Sequence, residues 1–282
     1  MFAATLLDMV VRTAVVTGAN RGIGLAVARG LAAHGLRVVL VSRSAAQVTE
    51  ACDALRTAGA DARVAVGDLG SVRTTRELTA KLLAEHPRID VLVHNAGVWT
   101  SRLERNEDGL ERAFAVNHVA PFVLNRLLEP RLVECGTRVV QVSAGLYVTG
   151  RPDLARTPAG DDFHPLRTYA TTKLCNLLLM PLFADRWRGK GPTIDAVHPG
   201  VIRTGLGDRD GVLGLALGLV KRLWKAPAEG ARPVVRLALD EALTAGTGRY
   251  FHVDEETPLL PVARDAALAR ALWEHASGLL ER

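Results

Sequence analysis

The 282-residue sequence predicts an α/β protein, a single doubly wound parallel sheet of about seven strands with helices on both faces. Three observations point there. Short β-branched runs alternate with longer Ala/Leu/Arg-rich segments, the rhythm of strand, helix, strand. The runs are nearly continuous in Val, Ile and Leu, as parallel strands buried on both faces require. The first run also leads straight into a glycine-rich turn and a helix.

The strand-like runs fall at 11–17, 36–42, 63–67, 89–93, 137–143, 192–197 and 249–253. Between them, 22–34, 45–58, 71–86, 108–130 and 165–189 are long enough to be crossover helices. Two stretches break the rhythm. Residues 144–164 hold Gly, Pro and Asp and read as a long loop. Residues 205–226 begin polar and then carry an apolar segment from Val212 to Val220. In an open α/β sheet ligands bind beyond the carboxyl ends of the strands, so both stretches are candidate walls of a substrate site. The second is expected to be a substrate-binding lid insertion, against the plainer reading of an amphipathic helix. No Ser/Gly/Pro linker or repeat divides the chain, so residues 1–282 read as one domain.

The turn after the first run is Thr17-Gly18-Ala19-Asn20-Arg21-Gly22-Ile23-Gly24. Glycines at this spacing allow a tight turn and close approach of the backbone to a pyrophosphate at the helix N-terminus. The order is G-x-x-x-G-x-G rather than the commoner G-x-G-x-x-G. The second run ends at Val41-Ser42-Arg43 with no carboxylate to grip a ribose 2′-hydroxyl. Arg43, with Arg21 in the turn, can instead pair with a 2′-phosphate, which favours NADP(H) over NAD(H).

Composition excludes several functions. The net charge is +5, but the 30 arginines are scattered rather than clustered with aromatics, which argues against nucleic-acid binding. Three cysteines (Cys52, Cys135, Cys175) and eight histidines show no metal-ligand spacing and no disulfide framework, and a reducing cytoplasm fits them best. No stretch reaches the ~18 uncharged apolar residues of a membrane span.

The sharpest chemical signal is Tyr169-Ala170-Thr171-Thr172-Lys173, a phenol and an ammonium one turn apart on a helix face. With three tyrosines and five lysines in the chain, the pairing is an improbable coincidence. A nearby cation favours the phenolate, which makes the pair a candidate general acid/base for a carbonyl or alcohol. The bland alternative is a tyrosine packed on its helix beside a solvated lysine.

Taken in order, these motifs resemble the short-chain dehydrogenase/reductase family over essentially the whole chain. They are Thr17-Gly18…Gly22-Ile23-Gly24, Asp68-Leu69, Asn95-Ala96-Gly97, Asn117, Ser143, Tyr169…Lys173 and Pro199-Gly200…Thr204. The closest likeness is to its retinol-dehydrogenase-like and WW-domain-oxidoreductase-like branch, carried by Val116-Asn117-His118, Pro121-Phe122, Gly150-Arg151, Pro227-Ala228-Glu229-Gly230-Ala231, Gly248-Arg249-Tyr250-Phe251 and Leu272-Trp273. The sequence departs from the common pattern at Ser143-Ala144, where many relatives have two serines, and at Thr171-Thr172, where many have a Ser before the lysine, and these departures leave the catalytic groups in place.

The resemblance implies a Rossmann-type fold and hydride transfer between a nicotinamide and a small-molecule carbonyl or alcohol. It assigns Tyr169 as proton donor and acceptor, Ser143 as a hydrogen bond to the substrate oxygen, and Lys173 as the group that lowers the tyrosine pKa and holds the ribose. Asn117 would support a water in the proton relay. Gly18, Asn20, Arg21, Gly22, Ile23, Gly24 and Arg43 would cradle the phosphates. Asp68 and Leu69 would flank the adenine, Asp68 having a plainer reading as a helix cap for the segment starting near Ser71. Asn95, Ala96 and Gly97 would line the ribose region, and Pro199, Gly200 and Thr204 would contact the nicotinamide and phosphates. Tyr147, Trp99 and Trp224 are expected to wall a lipophilic or aromatic substrate pocket. A redox-neutral enzyme and a non-catalytic dinucleotide-binding protein are the rival readings, and a homo-oligomer stays open.

Overall fold

The structure is a computed structural model that describes residues 11–200, 226–243 and 245–282. Its frame is one sheet in the order β3-β2-β1-β4-β5-β6-β7-β8. The strands are β1 (Thr13–Thr17), β2 (Arg37–Ser42), β3 (Ala62–Val66), β4 (Val91–His94), β5 (Arg138–Val142), β6 (Thr193–His198), β7 (Tyr250–His252) and β8 (Glu255–Glu256). The seven expected runs all form parallel strands, and two-residue β8 adds an antiparallel edge. That edge strand carries no apolar run, so nothing in its sequence announced it.

Helices α1 (Gly22–Ala33), α2 (Ala45–Thr57) and α7 (Pro227–Leu239) cover one face, where Val27, Leu31, Val48 and Val234 pack on Val16, Leu40 and Val93. The other face is covered by α3 (Val72–Glu85), α5 (Ala120–Cys135), α6 (Pro165–Trp187) and α8 (Ala266–Leu280), with Leu78, Phe122, Leu178 and Leu272 on Val15, Leu92 and Val139. Burial on both faces is what the unbroken apolar runs dictated, since successive strand side chains point to opposite faces.

The expected helix 108–130 begins later and has an irregular start. Gly109 turns with φ +75°, and Glu111 caps a short α4 (Arg112–Phe114) by accepting the Phe114 N–H at 2.7 Å. A π turn, Ala115–Val119, then leads into α5. The loop 144–164 contains a 3₁₀ turn, Gly145–Thr149. Of the lid expected over 205–226, all but Ala226 lies outside the described residues, as do Thr204 and Trp224. Among the described residues, no helix is long and apolar enough to cross a membrane.

Candidate active site

A cleft of about 770 Å³ opens at the carboxyl ends of β1 to β6, where the strand order reverses between β1 and β4. That is where an open α/β sheet binds its ligand, because the loops after neighbouring strands part there. The glycine turn after β1 forms one end. Gly18 and Gly22 hold φ of +65° and +59°. A Cβ at Gly18 would lie 2.9 Å from Ala96 Cα, and one at Gly24 would run into the Gly18 carbonyl. Asn95 braces the turn, its Nδ2 donating to Thr17 O at 2.8 Å and Gly18 O at 3.2 Å. The N-terminus of α1 has no side-chain cap and no acidic residue in its first turn, so its free N–H groups and dipole face the cleft unopposed.

Arg21, Arg43 and Asp68 line this end as exposed residues, beside buried Leu69. Among the described residues the guanidiniums of Arg21 and Arg43 have no carboxylate partner within salt-bridge distance. Asp68 is not a helix cap, contrary to the plainer expectation. Its Oδ1 accepts the Gly70 N–H at 3.0 Å, while Ser71 itself caps α3 in a reciprocal pair with Thr74. The hydroxyl, one residue before the helix, reaches the free N–H that the carboxylate three residues earlier cannot.

The other end is built from β5, α6 and the loop after β4. Ser143, Tyr169 and Lys173 all face the cleft, with Trp99 beside them. Ser143 is 5% exposed, and its Oγ is buried with no hydrogen-bond partner among the described residues. An orphaned buried hydroxyl is expensive, and it is relieved when a ligand oxygen arrives. The Tyr169 ring lies 6.2 Å from the Trp99 ring, and Lys173 Nζ donates to Val142 O at 3.0 Å.

Burial acts on both groups of the Tyr169–Lys173 pair. Burial pushes Tyr169 up to about 12 and pulls Lys173 down to about 8. The ammonium stands 5.7 Å from the centre of the tyrosine ring, and removal from water is the cause of both shifts.

Asn117 occupies the π turn rather than a regular helix. Its side chain pairs with both Val98 backbone groups, N–H at 2.7 Å and C=O at 2.9 Å. Tyr147 does not wall the cleft. The 3₁₀ turn points it inward, onto Tyr250 at 5.5 Å, with its hydroxyl accepting the Leu260 N–H at 3.4 Å. Leu146, 40% exposed, takes that place.

His198, at the end of β6, also lines the cleft and was missed in the sequence. It stacks on His252 at 5.2 Å, and burial pulls it down to about 4. Its place just before Pro199-Gly200, at a strand's carboxyl end, was the available signal. Among the described residues, no three His, Cys, Asp or Glu residues converge to hold a metal.

A glycine-cradled helix N-terminus feeding a cleft with a buried Ser, Tyr and Lys defines a dinucleotide-binding α/β oxidoreductase. The comparisons identify the family: the short chain dehydrogenase model matches residues 12–211. The chain is 35% identical to mouse (Mus musculus) retinol dehydrogenase 14, over 93% of its own length and 84% of the relative's. It is 40% identical to dehydrogenase/reductase SDR family member 13 of Bos taurus, over 93% and 71%. A solved structure from Mycobacterium Paratuberculosis superposes with a TM-score of 0.77 at 27% identity, covering 96% of this chain and 93% of that one. A blue fluorescent protein from a metagenomic library, solved with NADPH, gives 0.68 at 27% identity, over 86% and 96%. The chain belongs to the short-chain dehydrogenase/reductase family, in its retinol-dehydrogenase-like branch, and is an oxidoreductase of alcohol and carbonyl groups that uses a nicotinamide dinucleotide.

Proposed function

We propose that this oxidoreductase works with NADP(H) on a lipophilic or aromatic alcohol or carbonyl compound, with Tyr169, Ser143 and Lys173 as its reacting groups. The observation that carries the reading is the Ser143 hydroxyl, buried, without a partner among the described residues and in the same cleft as Tyr169 and Lys173. The residues present fit the dinucleotide: Gly18 and Gly24 let the turn close on Asn95 and Ala96 where a Cβ would clash, Gly22 takes a positive φ, and the bare N-terminus of α1 favours phosphate. When bound, the nicotinamide supplies or accepts the hydride.

The chain's own groups do the rest. Ser143 Oγ donates to the substrate oxygen and stabilises the negative charge that develops on it during reduction. Tyr169 delivers the proton to that oxygen, and a phenol held at about 12 is protonated and ready at neutral pH. Lys173, on Val142 O, keeps a cation beside the phenol. Arg21 and Arg43, without carboxylate partners among the described residues, support a 2′-phosphate on the cofactor. Trp99, Val98, Val116 and Leu146 supply an apolar wall, which supports a lipophilic substrate.

The test is a panel of lipophilic, aromatic and sugar alcohols and carbonyls, run with NADPH and NADP⁺ against NADH and NAD⁺ and followed by nicotinamide absorbance. Turnover is expected with apolar members and the phosphorylated cofactor. A best activity on charged sugars, or with NADH, removes the corresponding half of the reading. Product without net change in nicotinamide points to redox-neutral chemistry instead.

A further inference from the structure

We infer that His118 and Asn176 are a positioning pair, holding Asn117 and the Tyr169–Lys173 helix in working register for the reaction proposed above, on which the inference rests. Neither residue lines the cleft, and none of the roles so far described uses them.

Helix α6 carries Tyr169, Thr172, Lys173 and Asn176, and it grips the π turn at two points. Thr172 Oγ1 accepts from Asn117 Nδ2 at 3.1 Å and donates to Tyr169 O at 2.8 Å. Asn176 Nδ2 donates to the Asn117 backbone carbonyl at 2.7 Å. The turn is widened at that spot, the Ala120 N–H reaching back five residues to Ala115 O, so a side chain from the neighbouring helix is what fixes it. From Asn117 the constraint passes to Val98 through the paired bonds described above. Gly97 stands between: a Cβ there would be 3.6 Å from Asn117 Oδ1 and 3.7 Å from Lys173 Nζ. Thr172 directly precedes Lys173 in α6, so a shift of Asn117 acts, through its bond to Thr172, on the segment that carries the ammonium.

His118 sets the direction of the Asn176 amide. Because Nδ2 must face the Asn117 carbonyl, Oδ1 faces His118 Nδ1 at 3.1 Å, and an amide oxygen only accepts. His118 is thus the Nδ1–H tautomer, leaving Nε2 bare and without a partner among the described residues. Burial keeps the ring neutral, pulling it down to about 4, so the donor persists at every working pH above that. Without it, the amide is free to turn over and present its oxygen to the Asn117 carbonyl, a repulsive contact inside a dry site.

Two substitutions separate positioning from packing. His118→Phe keeps the ring that packs on Phe114 at 4.9 Å but removes the donor. His118→Asn keeps a donor near the Nδ1 position but leaves a void. Positioning predicts that kcat falls roughly 10- to 100-fold in H118F and in N176L, while H118N stays within about threefold of wild type. Cofactor Kd, read by fluorescence titration, should hold in all three because the Asn117 side chain still clamps Val98. Circular dichroism melts confirm that each variant is folded.

A packing role predicts the reverse order, and H118F turning over like wild type while H118N fails overturns the inference. If Tyr169→Phe keeps its turnover, the reading of the cleft fails instead. The inference still has its own measurement, ¹⁵N NMR of the His118 ring in the whole protein. Nδ1–H supports it, and Nε2–H sinks it.

Discussion

The two ends of the cleft are built by opposite means. At the glycine turn the charged side chains, Arg21, Arg43 and Asp68, are exposed, and the fixed geometry lies in backbone: two glycines at positive φ and an uncapped helix start. At the far end Tyr169 and Lys173 stand in regular helix and the chemistry lies in side chains buried away from water, with Ser143 Oγ without a partner among the described residues and Tyr169 and Lys173 shifted in opposite directions. On the proposed reading, one end recognises charge in a wet, screened environment. The other holds protons in a dry one, where each polar group counts for more. Losses at the far end should therefore be larger and insensitive to salt.

The largest expected effect is Tyr169→Phe, which removes one hydroxyl and leaves the ring against Trp99 at 6.2 Å. Carbonyl reduction should slow by about 10³-fold with cofactor affinity unchanged, since general acid catalysis of this kind contributes on the order of 10²–10⁴-fold. Steady-state kinetics with a fluorescence titration checks both numbers. A variant that retained a tenth of its kcat would show that burial at that end is packing alone.

Arg43→Ala tests the wet end. It should lower the preference for NADPH over NADH by about tenfold while leaving kcat with NADH alone, the scale expected of a single exposed ion pair to phosphate. Raising ionic strength should mimic it partially in wild type, because exposed charges are screened within ~8 Å at physiological salt. An equal loss with both cofactors would mean that Arg43 shapes the turn rather than reading the phosphate.

The smallest effect is on stability against pH. His94, His118 and His198 are each lowered from 6.5 to about 4 by burial. Below pH 6.5 the unfolded chain takes up protons that the folded one refuses, so stability falls as pH drops from 6.5 towards 4 and is flat in these groups above that window. Lys173 acts in the same sense on the alkaline side. Lowered from 10.5 to about 8, it stays charged longer when unfolded, so stability rises as pH climbs through that interval. Urea midpoints measured across pH in wild type and H94N would show the acid slope shrink in the variant.

Much of both ends was legible in the sequence, for different reasons. Gly18, Gly22, Gly24 and the apolar runs of β1 and β2 act through local backbone and period, and those are written residue by residue. Tyr169 and Lys173 were legible because helical spacing puts them on one face. What their burial would do was not, because desolvation depends on the π turn, β5 and the Trp99 loop closing over them. Tyr147 was misplaced for the same reason: four residues after Ser143, a 3₁₀ turn rather than an extended loop swings it onto Tyr250. His198 and Asn176 carried no motif of their own that named a role.

The sequence by itself determined the seven parallel strands, the crossover helices between the first six, the glycine-rich turn and the four-residue spacing of phenol and ammonium, since each rests on neighbours within a few positions along the chain. Only the tertiary structure decided which protons those groups hold, which serine is left unpaired and which helix grips the π turn. Those follow from the exclusion of water and from bonds between residues up to 59 positions apart, such as Asn117 and Asn176. Local spacing brings groups to one face, and long-range packing sets their chemistry there.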